Sequence, residues 1–346
     1  MLYYDLMVYS KKNTNNNFKF LFYGEGAFAE TFLSFKNTNK IAYKNKLCLI
    51  WGLRKYVKQN KIDLVHCHTP YGLVYIFFAT LLLPVERILT VHGSKNNTRS
   101  KLIYIISFIL SHRVLFVSSS FKERMKSALG LKENKKFKVL QNGINVEKFP
   151  QFSDSIKSAN RPIALGMVGN FYNDGRDQLT VCKGTKLLKK KGLEFSLYFA
   201  GGARKEKSYF LDSCVSYVKV NDLTDSVKFL GFQDDVYSLL NEWDVFVYSS
   251  NRDTFGIAVV EAMMAGIPVI VNDLDVFVEI TENGKYGTLY KSKDPNDLAA
   301  RIEAYLKNPK PFHEKAELAA VYAREKFSIE KHVKQLHKIY QGLMHA

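Results

Sequence analysis

Cysteine is scarce in these 346 residues: Cys48, Cys67, Cys182 and Cys214 lie far apart and form no CxxC pair. That spacing excludes a thiolate zinc site and a disulfide framework, and it predicts reduced thiols in a cytosolic protein. Long apolar runs are also missing. The two most apolar stretches, YGLVYIFFATLLLP (71–84) and LIYIISFIL (102–110), are shorter than the roughly 18–20 residues a spanning helix needs, so buried or interfacial helices are expected. The opening MLYYDLMVYSKK shows no basic region followed by an apolar core and a small-residue cleavage site, so no signal peptide is expected. Acid is short in one half only. Residues 1–150 hold 24 Lys and Arg against 8 Asp and Glu, while residues 151–346 hold 26 against 25. Nearly all of the net charge of +17 therefore sits on the first half. A one-sided basic surface suits anionic lipid headgroups, a lipid-diphosphate substrate or nucleic acid, although part of it follows a Lys/Asn-rich usage visible in SKKNTNNNFKF. Nucleic acid is not expected as a partner, because the charge is spread rather than grouped on a recognition helix and no RNA-binding signature accompanies it.

What is present is core-forming material: 47% of the chain is apolar, with 25 Phe and 20 Tyr, enough for two domains. In the first half, FKFLFYG (18–24), IDLVHCH (62–68), RILTVHG (87–93), RVLFVSS (113–119) and FKVLQNG (137–143) read as buried strands. Segments of helical length (43–60, 72–83, 99–111, 119–129) separate them. A polar break at 150–160 follows, and alternation restarts with IALGMVGN (163–170), FSLYFAGG (195–202), VKFLGF (227–232), VFVYSS (245–250) and IPVIV (267–271). Helices are expected around 177–191, 204–219, 234–241 and 256–265, and the remaining segments to the end read as helical. Such alternation predicts parallel sheets with helices on both faces, which bind ligands at the carboxyl ends of their strands.

The stretch TFGIAVVEAMMAGIPVIV (254–271) carries a single acid, Glu261, inside an otherwise apolar helix, with Asp253 eight positions earlier. An unpaired carboxylate there costs several kcal/mol after relaxation, so something must donate to it. Two partners remain open: a group of the polypeptide, or a ligand with two adjacent hydroxyls such as a ribose. Arg176 stands where a helix is expected to begin near Asp177, and a helix N-terminus with a guanidinium suits phosphate. Phe255-Gly256-Ile257 forms a second corner, where glycine lets the backbone come close to a ligand. His66 and His68 alternate along VHCH and so share a sheet face, but no third ligand accompanies them and a metal site is not expected. Asp234-Asp235 and the acids of DLD (273–275) read as solvated loop residues.

At this point the chain resembles a known family. DLVHCHTPYG, TVHGS, VLFVSSSFKERM, VLQNGINVEKF, GMVGNF, LYFAGG, VKFLGFQDDV and FVYSSNRDTFGIAVVEAMMAGIPVI follow the order and spacing of retaining GT-B glycosyltransferases of the group-4 class (glycosyl transferases group 1). The resemblance implies an α/β chain of two Rossmann-like, doubly wound domains facing a central cleft. It places an N-terminal acceptor-side domain at 1–155, a nucleotide-sugar-binding domain at 160–328, and a closing helix at 329–346 that packs back on the first domain. It implies that Glu261 holds the nucleotide ribose and Asp253 the donor sugar, and that Phe255, Gly256 and Ile257 offer amides to the sugar and diphosphate. Asn170 and Arg176 fall where the family has a diphosphate-binding arginine and lysine, and His92 falls where a histidine faces the transferred sugar. The loop around Asn142-Gly143 resembles one that lines the cleft.

The implied reaction moves a sugar from a nucleotide diphosphate, UDP being the expected carrier, to a glycan or lipid-linked acceptor hydroxyl. Anomeric configuration is retained, without cofactor or metal. The implied setting is bacterial surface-polysaccharide or lipid-linked glycan synthesis, in the cytoplasm or at the inner face of the membrane. Three departures stand out: Asp253 replaces a glutamate, Asn170 replaces an arginine, and MLYYDLMVYSKK already reads as the first helix, where the family has a strand and Gly-rich loop before it. These departures also fit a degenerate, non-catalytic transferase-like binding subunit at the membrane, and a GT-B nucleotide-sugar epimerase is a further reading among enzymes.

Overall fold

The computed structural model describes residues 9, 18–22, 38–93, 98–149, 161–172, 174–204 and 208–344. Apart from Tyr9, the expected opening helix lies outside these residues, as do the Asn-rich stretch 13–17 and the break at 150–160. Two compact units result: residues 1–145 with 329–346, and residues 146–328.

In the N-terminal unit, β3 (Leu64–Cys67), β4 (Glu86–Val91), β5 (Arg113–Phe116) and β6 (Phe137–Val139) form a parallel sheet in chain order. β1 (Phe20–Phe22) pairs in parallel with β2 (Thr38–Lys40) as a separate two-stranded sheet. The connecting helices are α1 (Lys46–Gln59), α2 (Pro70–Ala79), α3 (Thr98–Leu110) and α4 (Ser119–Leu129). Short polar side chains fix where they start: Asn45 accepts from the Cys48 amide, Thr69 from Gly72 and Ser118 from Phe121. The last helix, α12 (Ile329–Met344), returns to this unit, where Leu336 and Tyr340 pack with Ile88, Leu115 and Leu140. Gly143 allows that approach, since a Cβ there would lie 2.6 Å from the His332 Cβ and 2.8 Å from the Ile329 Cα.

The C-terminal unit holds a six-stranded sheet in the order β12-β11-β10-β7-β8-β9, every pair parallel. Its strands are β7 (Ile163–Val168), β8 (Phe195–Ala200), β9 (Val227–Gly231), β10 (Val245–Tyr248), β11 (Val269–Asn272) and β12 (Thr288–Tyr290). β10 and β11 are wholly buried, as a branched apolar run between two helix layers requires. The helices are α5 (Gln178–Lys190), α6 (Tyr209–Val220), α7 (Val236–Glu242), α8 (Ile257–Ala265), α9 (Asp275–Ile280), α10 (Pro295–Lys307) and α11 (Lys310–Lys326).

The sequence reading needs amending in three places. The region after IPVIV is not all helical, because Thr288–Tyr290 pairs with β11 as an edge strand too short to show periodicity. Asp275 opens α9 rather than lying in a loop, and Asp273 accepts from the Ser292 amide at 2.8 Å. α6 runs from Tyr209 rather than from the expected 204.

Candidate functional site

Chain order along the large sheet reverses at β7, which pairs with β8 on one side and β10 on the other. The loops leaving β7 and β10 diverge there, opening the crevice where sheets of this topology take ligands. Backbone bonds clasp the two loops together. The Asp177 amide donates to the Ser249 carbonyl at 3.0 Å, and the Asn251 amide to Gly175 at 3.0 Å, leaving Arg176 and Ser250 as an isolated antiparallel bridge. Asp177 then caps α5 by accepting from the Thr180 amide. Arg176 is thus delivered to the switch point by its neighbours' main chain.

The Arg176 Nη1 lies 3.3 Å from the Ser250 hydroxyl, the Arg252 carbonyl and the Asp253 Oδ2, and the guanidinium stacks 5.5 Å over the Tyr248 ring. Burial alone would ease its proton off, but Tyr248 and Asp253 outweigh that and push its pKa up. Burial drives the Tyr248 phenol strongly upward, so it remains neutral and donates to Asp253 at 3.3 Å. The other Asp253 oxygen accepts the amides of Thr254, Phe255 and Gly256 at 2.7, 3.3 and 3.1 Å. Two of the amides assigned by resemblance to sugar and diphosphate are therefore directed at Asp253 in this state. Gly256 adopts φ 83°, a left-handed turn that starts α8, and Ile257 follows as its first residue, 39% exposed.

Glu261 sits half-buried on α8 and accepts from the Tyr237 hydroxyl at 3.3 Å, so at least one donor belongs to the polypeptide. Tyr237 is itself held edge-on to Phe149, ring centres 5.0 Å apart. Asn170 is exposed, and its side-chain oxygen accepts the Gly202 amide at 2.9 Å, tying the β7 corner to the β8 corner. Sequence reasoning missed Tyr237, Tyr248 and Ser250. The available signal was a hydroxyl at the end of an apolar strand (VFVYSS) and another on a short helix (DDVYSLL), each able to serve a buried acid.

The N-terminal unit gathers a second cluster at the carboxyl edge of its sheet. His66 stacks on His68 with ring centres 4.4 Å apart, as their alternation predicted. The His68 Nδ1 lies 3.1 Å from the His92 Nε2, and His66 spans the Tyr340 and Thr90 hydroxyls at 2.7 and 2.6 Å. From α12, His332 places Nδ1 2.7 Å from the Gln141 carbonyl, so that nitrogen carries the hydrogen. His332 was not foreseen, because nothing in the closing helix marks it. Burial, then the neighbouring imidazoles, lowers His66 to about 3, His68 well below its usual range and His92 to about 4, while burial lowers His332 as well. All four are neutral at pH 7. Among the described residues no group of three or more His, Cys, Asp or Glu could hold a metal ion, and no helix is long and apolar enough to cross a membrane. A cavity of about 590 Å³ lies at the opposite, amino edge of the same sheet, lined by residues such as Asp63, Glu86, Arg87 and His112, away from the cluster of His66, His68, His92 and His332.

Comparison with known proteins places this arrangement. Residues 149–326 match the family described as Glycosyl transferases group 1, and residues 30–148 match Glycosyltransferase Family 4. An N,N'-diacetylbacillosaminyl-diphospho-undecaprenol alpha-1,3-N-acetylgalactosaminyltransferase of Campylobacter jejuni is 31% identical over 218 residues, covering 60% of this chain and 54% of that protein, about half its length. The capsular polysaccharide biosynthesis glycosyltransferase CapM of Staphylococcus aureus is 25% identical over 299 residues, 77% of this chain and 75% of CapM. Among solved structures, Anabaena HepE in complex with UDP superposes with a TM-score of 0.82 at 17% identity, covering 99% of this chain and 95% of that one. A Rickettsia africae glycosyltransferase superposes at 0.80 with 18% identity, covering 94% and 90%. At such identities the structural likeness speaks for the fold, two Rossmann-like α/β domains of the GT-B type, and the sequence matches speak for descent: the chain belongs to the glycosyl transferases group 1 family.

Proposed function

We infer that the protein transfers a sugar from a nucleotide-diphosphate sugar to a hydroxyl of a glycan or lipid-linked acceptor, with retention of anomeric configuration, in bacterial surface-polysaccharide or lipid-linked glycan synthesis. The observation that carries this reading is Arg176, clasped at the strand-order reversal and held cationic beside α8, in a chain of this family. HepE, whose fold is shared, is described bound to UDP and to UDP-glucose, which supports UDP as the carrier. The Campylobacter and Staphylococcus names support a lipid-linked or capsular glycan as acceptor.

In this reading the leaving diphosphate meets Arg176 and the amides at the start of α5 and α8, while Glu261, with Tyr237 steadying one oxygen, takes the ribose hydroxyls. Asn170 serves the diphosphate corner through the Gly202 loop it ties down. Asp253 accepts five bonds from inside the protein and thereby organises the corner; contact with the donor sugar requires one of its oxygens to exchange an amide for a sugar hydroxyl. That saturation leaves it poorly suited to act as a free nucleophile. His92, neutral and braced by His68, is suited to hydrogen-bond a sugar hydroxyl rather than to bring a positive charge. Neither cofactor nor metal is required by this chemistry. The protein acts on the cytoplasmic side, attached peripherally to an anionic membrane surface.

A panel of nucleotide sugars tests the reading, first by thermal stabilisation and donor hydrolysis, then by transfer to lipid-linked glycans. Stabilisation by UDP and by one UDP-sugar, followed by transfer with an α-linked product from an α-linked donor, is expected. A protein that no nucleotide stabilises would overturn it, and one that binds donor but neither hydrolyses nor transfers it with any acceptor would favour the non-catalytic subunit.

A further inference from the structure

The corner that holds Arg176 carries a second guanidinium. Arg252 stands next to Asp253 in sequence, and its amide donates to the Gly175 carbonyl at 3.3 Å. Its carbonyl accepts from the Ser250 hydroxyl at 3.0 Å and from the Arg176 Nη1 at 3.3 Å. The main chain of Arg252 is thus locked into the clasp, and the Arg176 guanidinium rests on it. The side chain leads elsewhere, to an ion pair with Asp174 on the facing loop. Asp174 is anchored by its main chain as well, since its carbonyl accepts from the Asn251 side chain at 2.9 Å.

The two ion pairs of this corner differ in how firmly they are held. The Asp253 side chain is 9% exposed and is fixed by Tyr248 and three amides in addition to Arg176. The Arg252 and Asp174 side chains are 56% and 67% exposed, and among the described residues each is held by the other. Water screens so exposed a pair, which therefore binds its members weakly. Two cations faced by two carboxylates also leave the corner without net charge. An arriving phosphate meets a balanced field unless one carboxylate withdraws, and Asp174 is the one able to do so without breaking a buried network. A diphosphate carries more negative charge than a carboxylate and offers several oxygens to an arginine fork, and the N-termini of α5 and α8 favour it at this place.

We propose that Arg252 is a further donor-binding residue, a second diphosphate ligand that Asp174 holds in reserve. When a nucleoside diphosphate enters, the Arg252 guanidinium leaves Asp174 for the phosphate oxygens beside Arg176, and the Asp174 carboxylate turns to water. The Arg252 backbone already touches the Arg176 guanidinium, so a swing about side-chain torsions alone sets the two forks side by side. Arg252 then supplies the cation that Asn170 does not. The exchange rests on the functional reading above, a nucleotide-diphosphate donor at Arg176, and adds to it a residue and a switch.

Titration calorimetry of the full-length protein with UDP, inorganic pyrophosphate and uridine tests the exchange. Arg252→Gln is expected to weaken UDP and pyrophosphate about tenfold, the value of a contact to a charged group, while changing uridine less than about twofold. Asp174→Asn is expected to tighten UDP about threefold by removing the competing carboxylate, and to have no effect once Arg252→Gln is present. Lys191→Gln breaks another exposed ion pair, to Glu303 past the far end of α5, and should change UDP binding less than about twofold. A merely structural pair would behave differently, both single variants weakening UDP and lowering the thermal midpoint together. That pattern, equal losses of UDP and uridine on Arg252→Gln, or UDP binding unchanged by Arg252→Gln overturns the proposal alone. Pyrophosphate binding that depends on Arg252, in a protein that binds no nucleotide, keeps the reserve cation and sinks the functional reading. Binding of neither phosphate sinks both.

Discussion

Glu261 and Asp275 are acids on consecutive helices of the same unit, and the proposed function gives a ligand contact to the first alone. Glu261→Ala is expected to weaken UDP binding roughly tenfold or more, the value of a hydrogen bond to a charged group, with Asp275→Ala changing it less than about twofold by titration calorimetry. Equal losses would count against the ribose assignment. Arg176→Ala should lower kcat/KM by roughly 10²–10³, mainly through kcat, because the departing diphosphate gains negative charge as the bond breaks. Steady-state kinetics with the identified donor would show this, and a change confined to KM would argue for simple anchoring. The two corners that carry Arg176, Asp253 and Glu261 were legible because each is a short local stretch of strand, loop and helix start. Tyr237 and His332 were not, because Tyr237 lies 24 positions from Glu261 and His332 lies 191 from Gln141. Only the packing of α7 on α8 and the return of α12 bring those residues together.

At the level of elements, the corner entering α8 is the strained one. Gly256 combines φ 83° with a would-be Cβ 2.8 Å from the Phe277 ring, so Gly256→Ala is expected to destabilise the protein by about 2 kcal/mol. Gly130 has φ 63° but open space around its Cα, and Gly130→Ala should cost about half as much. Thermal unfolding of the two variants checks the order; a milder effect at Gly256 would show that Phe277 yields. The alternation of long strands and helices could be read because each carries a full period of apolar residues. β2, β12 and α9 could not, since three to six residues hold too little pattern to distinguish strand, turn and helix.

Across the whole molecule the titrating groups are as unevenly placed as the charge. Of eight histidines only His313 belongs to residues 146–328, while the neutral cluster lies in the N-terminal unit. Unfolded histidine titrates near 6.5, whereas folded His66 and His92 titrate at about 3 and about 4. Between those values the unfolded chain binds protons the folded one refuses. Stability therefore rises with pH in that window and is lost on acidification from 6.5 toward 4. Hydrogen exchange at pH 7 and pH 5, corrected for intrinsic rates, should show protection falling in β3, β4 and α12 before β7 and β10, and His332→Gln should soften the difference. Uniform loss across both units would refute it. The charge imbalance was plain from composition, but the imidazole cluster required the return of α12, which no local pattern announces. One consequence lies in the clasp between 174–177 and 249–251. Because main-chain amides on either side set the location of position 176, the strand register there does not hang on the side chain, so Arg176→Ala removes the cation while leaving the sheet in place.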